Sequence, residues 1–138
     1  MAKKYWLMKT EPSTYSFDDL VREKKTSWDG VRNYQARNYL KECQKGDSVL
    51  IYHSVQQKAV VGTAEVLKEA YPDPDPSRKG DWVKVDIKPL CALKKQVELQ
   101  QIKQDEKLSQ IPLVTHSRLS VMPLKKVEFD RILKLGGL

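Results

Sequence analysis

Ser48-Val49-Leu50-Ile51-Tyr52-His53 and Ala59-Val60-Val61-Gly62-Thr63-Ala64-Glu65-Val66 decide how this chain is read. Both runs are short, apolar and rich in β-branched or aromatic residues, which suits strands better than helices. The polar link from Ser54 to Lys58 between them suits a loop. The two runs are therefore neighbouring strands, and the rest of the chain is organised around them.

On the N-terminal side, Gly46-Asp47 closes a helix that starts from a cap at Asn33 and reaches about Gln44. Ala36, Leu40 and Cys43 give that helix one apolar stripe. Asp29-Gly30 signals a turn, and Thr26-Ser27-Trp28 is a short extended entry to it. Ser16 caps a helix from Phe17 to about Lys24, with Asp18 and Asp19 in its positive first turn. Tyr5-Trp6-Leu7-Met8 reads as an initial buried strand, and Pro12 disfavours helix at Glu11.

On the C-terminal side, the prolines and glycine of Tyr71 to Gly80 predict a loop. Asp81 to Ile87 alternates as a strand. Glu98 to Gln110 is expected to be helical in pieces, held by Leu99, Ile102 and Leu108. Ser120-Val121-Met122 reads as a last strand that Pro123 ends. Lys125 to Leu135 is a terminal helix expected to bury Val127, Ile132 and Leu135. Strands close in sequence with short helices between them predict α+β, a small curved sheet or barrel decorated by short helices. The pairing of the strands stays open.

With 138 residues, residues 1–138 are expected to form a single domain. A charged fraction of 31% beside 40% hydrophobic residues fits a folded chain rather than a disordered one. No run has the apolar length of a membrane span, and the N-terminus lacks the pattern of a signal peptide, so no membrane partner and an intracellular location are expected. The net charge of +7 is spread along the sequence; it suits polyanion binding by counterion release and equally a solubilising surface. Cys43 and Cys91 do not have a zinc spacing, and with His53 and His116 they make a poor ligand set, so no metal and no cofactor are expected. P-loop, dinucleotide and nucleophile-elbow motifs are missing as well.

Trp28-Asp29-Gly30-Val31-Arg32-Asn33-Tyr34-Gln35-Ala36-Arg37-Asn38-Tyr39-Leu40 concentrates an aromatic, two arginines and two asparagines beside a turn and a helix. Such side chains can stack a planar group, hydrogen-bond its edge and pair with phosphate. The chemistry points to a nucleobase or nucleotide.

Together with Tyr5-Trp6-Leu7-Met8-Lys9-Thr10-Glu11-Pro12, Tyr15-Ser16-Phe17-Asp18-Asp19-Leu20, Gly46-Asp47, Tyr52-His53-Ser54, Val61-Gly62-Thr63-Ala64-Glu65-Val66, Tyr71-Pro72-Asp73 and Arg118-Leu119-Ser120-Val121, the Trp28–Asn38 block resembles the EVE domain family. That family is a branch of the PUA-like superfamily related to YTH domains. The pieces occur in order over almost the whole chain. Two features depart from the family pattern: Val55-Gln56-Gln57-Lys58-Ala59 lacks a Pro-Gly, and the loop after Tyr71 is short.

The resemblance implies a PUA-like small curved β-barrel decorated by short helices. It also implies non-enzymatic binding of a modified nucleobase, modified cytosine favoured, in DNA or RNA. The base pocket is assigned to Trp28, Gly30, Val31, Asn33, Thr10, Tyr52, His53 and Ser54. Trp28 and Tyr52 would stack; Asn33, Thr10, Ser54 and the backbone at Gly30 and Val31 would read the edge; His53 would orient the pocket. Lys9, Arg32, Arg37 and Arg118 would contact phosphate. Each has a structural alternative: core aromatics, a turn glycine, a helix cap at Asn33, or an ion pair to Glu11 or Asp29 for a buried arginine. Trp28→Ala is expected to abolish selectivity and leave the fold intact. The alternative functions are a small adaptor for RNA or protein that ignores base modification, and an enzyme acting on nucleotides through His53, Ser54, Asp29 and Glu11. A monomer is expected, with any effector protein supplied in trans, cytoplasmic in a bacterium or nuclear in a eukaryote.

Overall fold

The computed structural model describes residues 3–29, 31, 33–55, 57–73 and 81–138. In chain order the elements are β1 (Tyr5–Thr10), α1 (Phe17–Glu23), β2 (Thr26–Trp28), α2 (Tyr34–Glu42), β3 (Ser48–His53) and β4 (Ala59–Pro72). They continue with β5 (Val83–Glu98), α3 (Leu99–Gln104), α4 (Pro112–Thr115), β6 (Val121–Leu124) and α5 (Lys126–Leu135). None of these helices is long and apolar enough to cross a membrane.

All strands join one sheet in the order β2-β5-β4-β3-β1-β6. β1 and β3 run parallel, and the other neighbours are antiparallel. The long β4/β5 pair shifts register repeatedly, and β3/β4 shifts once between Ile51 and Tyr52. Each irregularity adds bend and twist, so the sheet curls. It stays unclosed, with β2 and β6 at its two edges. The α+β class and the curved sheet with short helices are as the sequence predicts; the barrel is open.

β1 lies between two partners, which explains its unbroken apolar centre: Trp6, Leu7 and Met8 are all buried. β3 is buried along its length. Asn33 caps α2 by accepting the Ala36 N–H at 2.9 Å, and Ala36, Leu40 and Cys43 are buried as their spacing requires. Ser16 and Asp19 form a reciprocal capping box on α1. Gly62 of β4 is needed for close approach: a Cβ there would sit 2.4 Å from the buried Phe17 ring.

Several boundaries differ from those predicted. Tyr71 and Pro72 lie at the end of β4, paired with Lys84 and Val83, and not in a loop; the rest of the proline-rich stretch, 74–80, lies outside the described residues. β5 continues from Ile87 to Glu98 because long-range pairing with β4 outweighs the local polarity and Pro89. Pro123 stays within β6, as an edge strand with one partner allows. On α5 the buried residues are Phe129 and Ile132, whereas Val127 is 68% exposed. Two positions along a helix is just over half a turn, so Phe129 facing the core turns Val127 outward.

Candidate functional site

β1 ends at Lys9 and Thr10, and the following turn brings Thr14 and Tyr15 back beside it. β2 ends at Trp28 with Asp29 beyond. These two segments, with Thr26 and Ser27, line an open cavity of about 510 Å³. That size lies within the usual range for small-ligand sites.

Two aromatic rings form a corner in it. Tyr15 and Trp28 have centroids 6.3 Å apart and planes at 83°. The Tyr15 hydroxyl donates to Glu23 Oε1 at 2.8 Å, and burial and the Glu23 carboxylate both oppose its ionisation. Ser27 Oγ donates to Asp86 Oδ1 at 3.0 Å, and Tyr71 donates to the same oxygen at 2.5 Å. Thr10 Oγ1 donates to the Tyr15 carbonyl at 2.6 Å. The wall is thus held by hydrogen bonds from behind. Asp29, by contrast, is exposed and has no ion-pair partner among the described residues.

Lys9 is half-buried. Its Nζ donates to the Ser117 carbonyl at 2.8 Å and lies 5.9 Å from the Tyr52 ring centroid. Burial lowers its pKa from the ordinary 10.5.

Of the residues assigned from sequence, Lys9, Thr10 and Trp28 stand on this wall. Tyr52, His53 and Ser54 lie behind it on the β3 side, because β3 runs parallel to β1 with Tyr52 opposite Lys9 and His53 opposite Thr10. Tyr52 is buried in the core at 3% exposure. His53 has both ring nitrogens engaged: Nε2 accepts the Phe17 N–H at 3.0 Å, and Nδ1 is bonded to Gln57 Oε1. That pattern makes Nδ1–H the donor tautomer. Ser54 supports Thr10, donating to its carbonyl through N–H at 2.9 Å and through Oγ at 3.3 Å. Val31 is buried in the core. Gly30 and Arg32 lie outside the described residues.

Asn33 and Arg118 stand apart from this cavity, in a shallower hollow with Gln35, His116, Ser117 and Leu119. Arg37 is turned elsewhere. Its guanidinium binds Asp81 Oδ1 at 3.1 Å and Asn38 Oδ1 at 3.2–3.3 Å, and it stacks 5.0 Å from Tyr34 and 5.5 Å from Trp82. The ion-pair alternative foreseen for a buried arginine applies, with Asp81 as partner in place of Glu11 or Asp29. Lys41 binds the same carboxylate at 2.6 Å, and that contact first, then a backbone hydrogen bond and, least, Arg37, hold the Asp81 carboxyl below its ordinary 3.8.

Thr14, Tyr15, Thr26, Ser27 and Asp29 were not assigned to the pocket from sequence. The Tyr15-Ser16-Phe17 piece was the available signal for Tyr15, since it belongs to the family pattern. Trp28 brings a second correction: at 8% exposure it is part of the core, so truncation to Ala would cost stability of about 3–5 kcal/mol. Among the described residues, no group of three or more His, Cys, Asp or Glu side chains is placed to hold a metal.

Comparison with known proteins agrees with this architecture. Mouse thymocyte nuclear protein 1 is 39% identical over 95% of this chain and 73% of its own length. A protein from Agrobacterium tumefaciens superposes with a TM-score of 0.93 at 38% identity, over 98% of this chain and 94% of that one. Human THYN1 in complex with DNA containing 5-methylcytosine superposes with a TM-score of 0.90 at 34% identity, over 99% of both chains. The YTH domain of the MRB1 protein of Zygosaccharomyces rouxii, at 18% identity, 99% and 85% coverage and a TM-score of 0.60, shares the fold alone. The model of the EVE domain matches residues 4–135. The curled sheet, the capped helices around it and the ordered motifs from Tyr5 to Val121 make this chain a member of the EVE domain family.

Proposed function

We propose that this chain binds a modified nucleobase, modified cytosine favoured, in DNA or RNA, and does so without catalysing a reaction. The observation that carries the proposal is the aromatic corner of Tyr15 and Trp28 beside the exposed carboxylate of Asp29, which has no ion-pair partner among the described residues. A base stacked on one ring meets the other ring edge-on. Stacking on an aromatic returns about 1–3 kcal/mol, comparable with the cost of leaving a base stack. A carboxylate accepts from the exocyclic N4 amine of cytosine, the role proposed for Asp29. A 5-substituent would then lie against aromatic surface. Thr10 and Ser27 contribute hydroxyls to the same wall.

The complex of human THYN1 with DNA containing 5-methylcytosine supports the same ligand class here, given similarity over nearly the whole of both chains. Binding without turnover is supported by His53: the best candidate base is off the cavity wall with both nitrogens engaged. Tyr52, His53 and Ser54 are proposed to stiffen the wall from behind. Phosphate contact is proposed for Lys9 and Arg118; Arg37 would have to leave Asp81 to join them.

The test is a fluorescence-polarisation titration of plain and modified oligonucleotides, as DNA and as RNA, with wild type and Asp29→Ala. A preference of about tenfold, equal to about 1.4 kcal/mol, is expected for one modified ligand and is expected to vanish in the variant. Uniform, salt-dependent binding across the panel would instead indicate an adaptor that ignores modification.

A further inference from the structure

The hollow lined by Asn33, Gln35, His116, Ser117, Arg118 and Leu119 has a volume of about 250 Å³. Two connections place it next to the base cavity. Lys9, on the cavity wall, donates from Nζ to the Ser117 carbonyl at 2.8 Å, and its N–H donates to the Ser120 carbonyl at 2.9 Å. On the other side, Asp29 of the cavity and Asn33 of the hollow are four residues apart in the chain, a reach of at most about 14 Å.

The chemistry of the hollow is one-sided. Its described walls carry no carboxylate. Asn33 uses its side-chain oxygen to cap α2, so its amide N–H groups remain as donors. Arg118 offers a guanidinium, and Gln35 and His116 are exposed polar groups. The volume is below the roughly 300 Å³ at which drug-sized sites begin, so the occupant is a fragment. A donor-rich fragment site abutting a base cavity suits the next unit of the same polymer.

We propose that this hollow is a subsite for the nucleotide adjoining the target base, engaging its phosphodiester and base edge. The inference rests on the base-binding reading and extends it: the protein reads a base within a short strand, and an isolated nucleotide fills only part of its site. Asn33 and Arg118 would fix register on the phosphodiester, while Gln35 and His116 would hold the neighbouring base and supply most of the gain in affinity.

The experiment compares wild type, Gln35→Ala and His116→Ala against 5-methyldeoxycytidine monophosphate and the two dinucleotides extended on its 5′ or 3′ side. Plain-cytosine counterparts are run alongside, with affinities read by NMR titration. Both substituted side chains are exposed, so the fold is expected to survive. Extension on one side is expected to raise wild-type affinity about tenfold, or 1.4 kcal/mol, and most of that gain is expected to disappear in the variants. A gain that persists in both variants, or no gain on either side, overturns the subsite while the preference for the methylated base stands. Equal binding of methylated and plain ligands by wild type overturns the base-binding reading, and the subsite with it.

Discussion

The two ends of β1 differ in how their polar surroundings are satisfied. At its start, Asp47 is buried at 2% exposure and accepts three hydrogen bonds: from Lys4 N–H at 3.0 Å, Trp6 Nε1 at 2.9 Å and Gln44 N–H at 2.9 Å. One carboxylate thereby joins β1, its core tryptophan and the turn leading into β3. Roughly 17 Å along the strand, at about 3.3 Å per residue, Lys9 and Thr10 border open space. There the half-buried Lys9 has a lowered pKa and Asp29 has no ion-pair partner among the described residues. One end has its polar groups satisfied by the protein; the other borders open space with polar groups and aromatic surface, and is the end proposed to meet a ligand. Stability and binding should therefore respond to different substitutions.

The largest effect is expected from Asp47→Ala. It leaves buried donors without an acceptor and should destabilise the protein by about 3 kcal/mol or more, read from urea unfolding. The variant should retain its base preference while folded; loss of preference at full folding would erase the distinction between the ends. Gly62→Ala should follow, costing about 1–3 kcal/mol by overpacking. The new Cβ meets the ring of Phe17, which is buried and has no free direction to move. Unchanged thermal stability would show that α1 can shift away from β4.

Lys9→Met should invert this behaviour. Burial lowers the folded-state pKa of Lys9, so the unfolded chain binds more protons between that value and 10.5. Stability then rises with pH across that window, and the charge is a cost at neutral pH. The variant is expected to be at least as stable as wild type and to bind nucleic acid more weakly, with the log–log salt slope reduced by about 1. A clear loss of stability would make Lys9 a structural residue. The smallest effect concerns Asp81. Its lowered pKa gives stability that is present above 3.8 and lost as pH falls through the folded value. Asp81→Asn should flatten the acid limb of a melting-temperature profile slightly, since the group is exposed; an identical acid limb would show that Arg37 and Lys41 gain nothing from it.

Legibility in the sequence followed the range of the interactions. The Asn33 and Ser16 caps and the Ala36/Leu40/Cys43 stripe depend on residues a few positions apart, and all were readable; the reciprocal bond from Asp19 that completes the box at Ser16 came with the structure. The same is true of β3, whose apolar run is buried on both faces. Val127 was misjudged because composition names candidate core residues without saying which helical face meets the sheet. Tyr71, Pro72 and the second half of β5 were misread because their strand conformation comes from pairing across the β4/β5 hairpin.

The candidate site shows the same division. Trp28 was recognisable from a motif dense in nucleobase chemistry, and Thr10 and Lys9 from the Tyr5–Pro12 piece that resembles the family. Tyr15 and Asp29 were in view too, but their roles depend on the path of the chain. The parallel pairing of β1 with β3 decides that Tyr52, His53 and Ser54 lie behind the wall. A carboxylate distant in sequence, Asp81, decides that Arg37 is engaged. Helix caps, apolar stripes, short strands and the family were settled by local order in the chain, because propensity and capping act over a few residues. Which side chains share a cavity was settled by tertiary structure, because strand pairing, chain reversal and long-range ion pairs place groups that local sequence leaves independent.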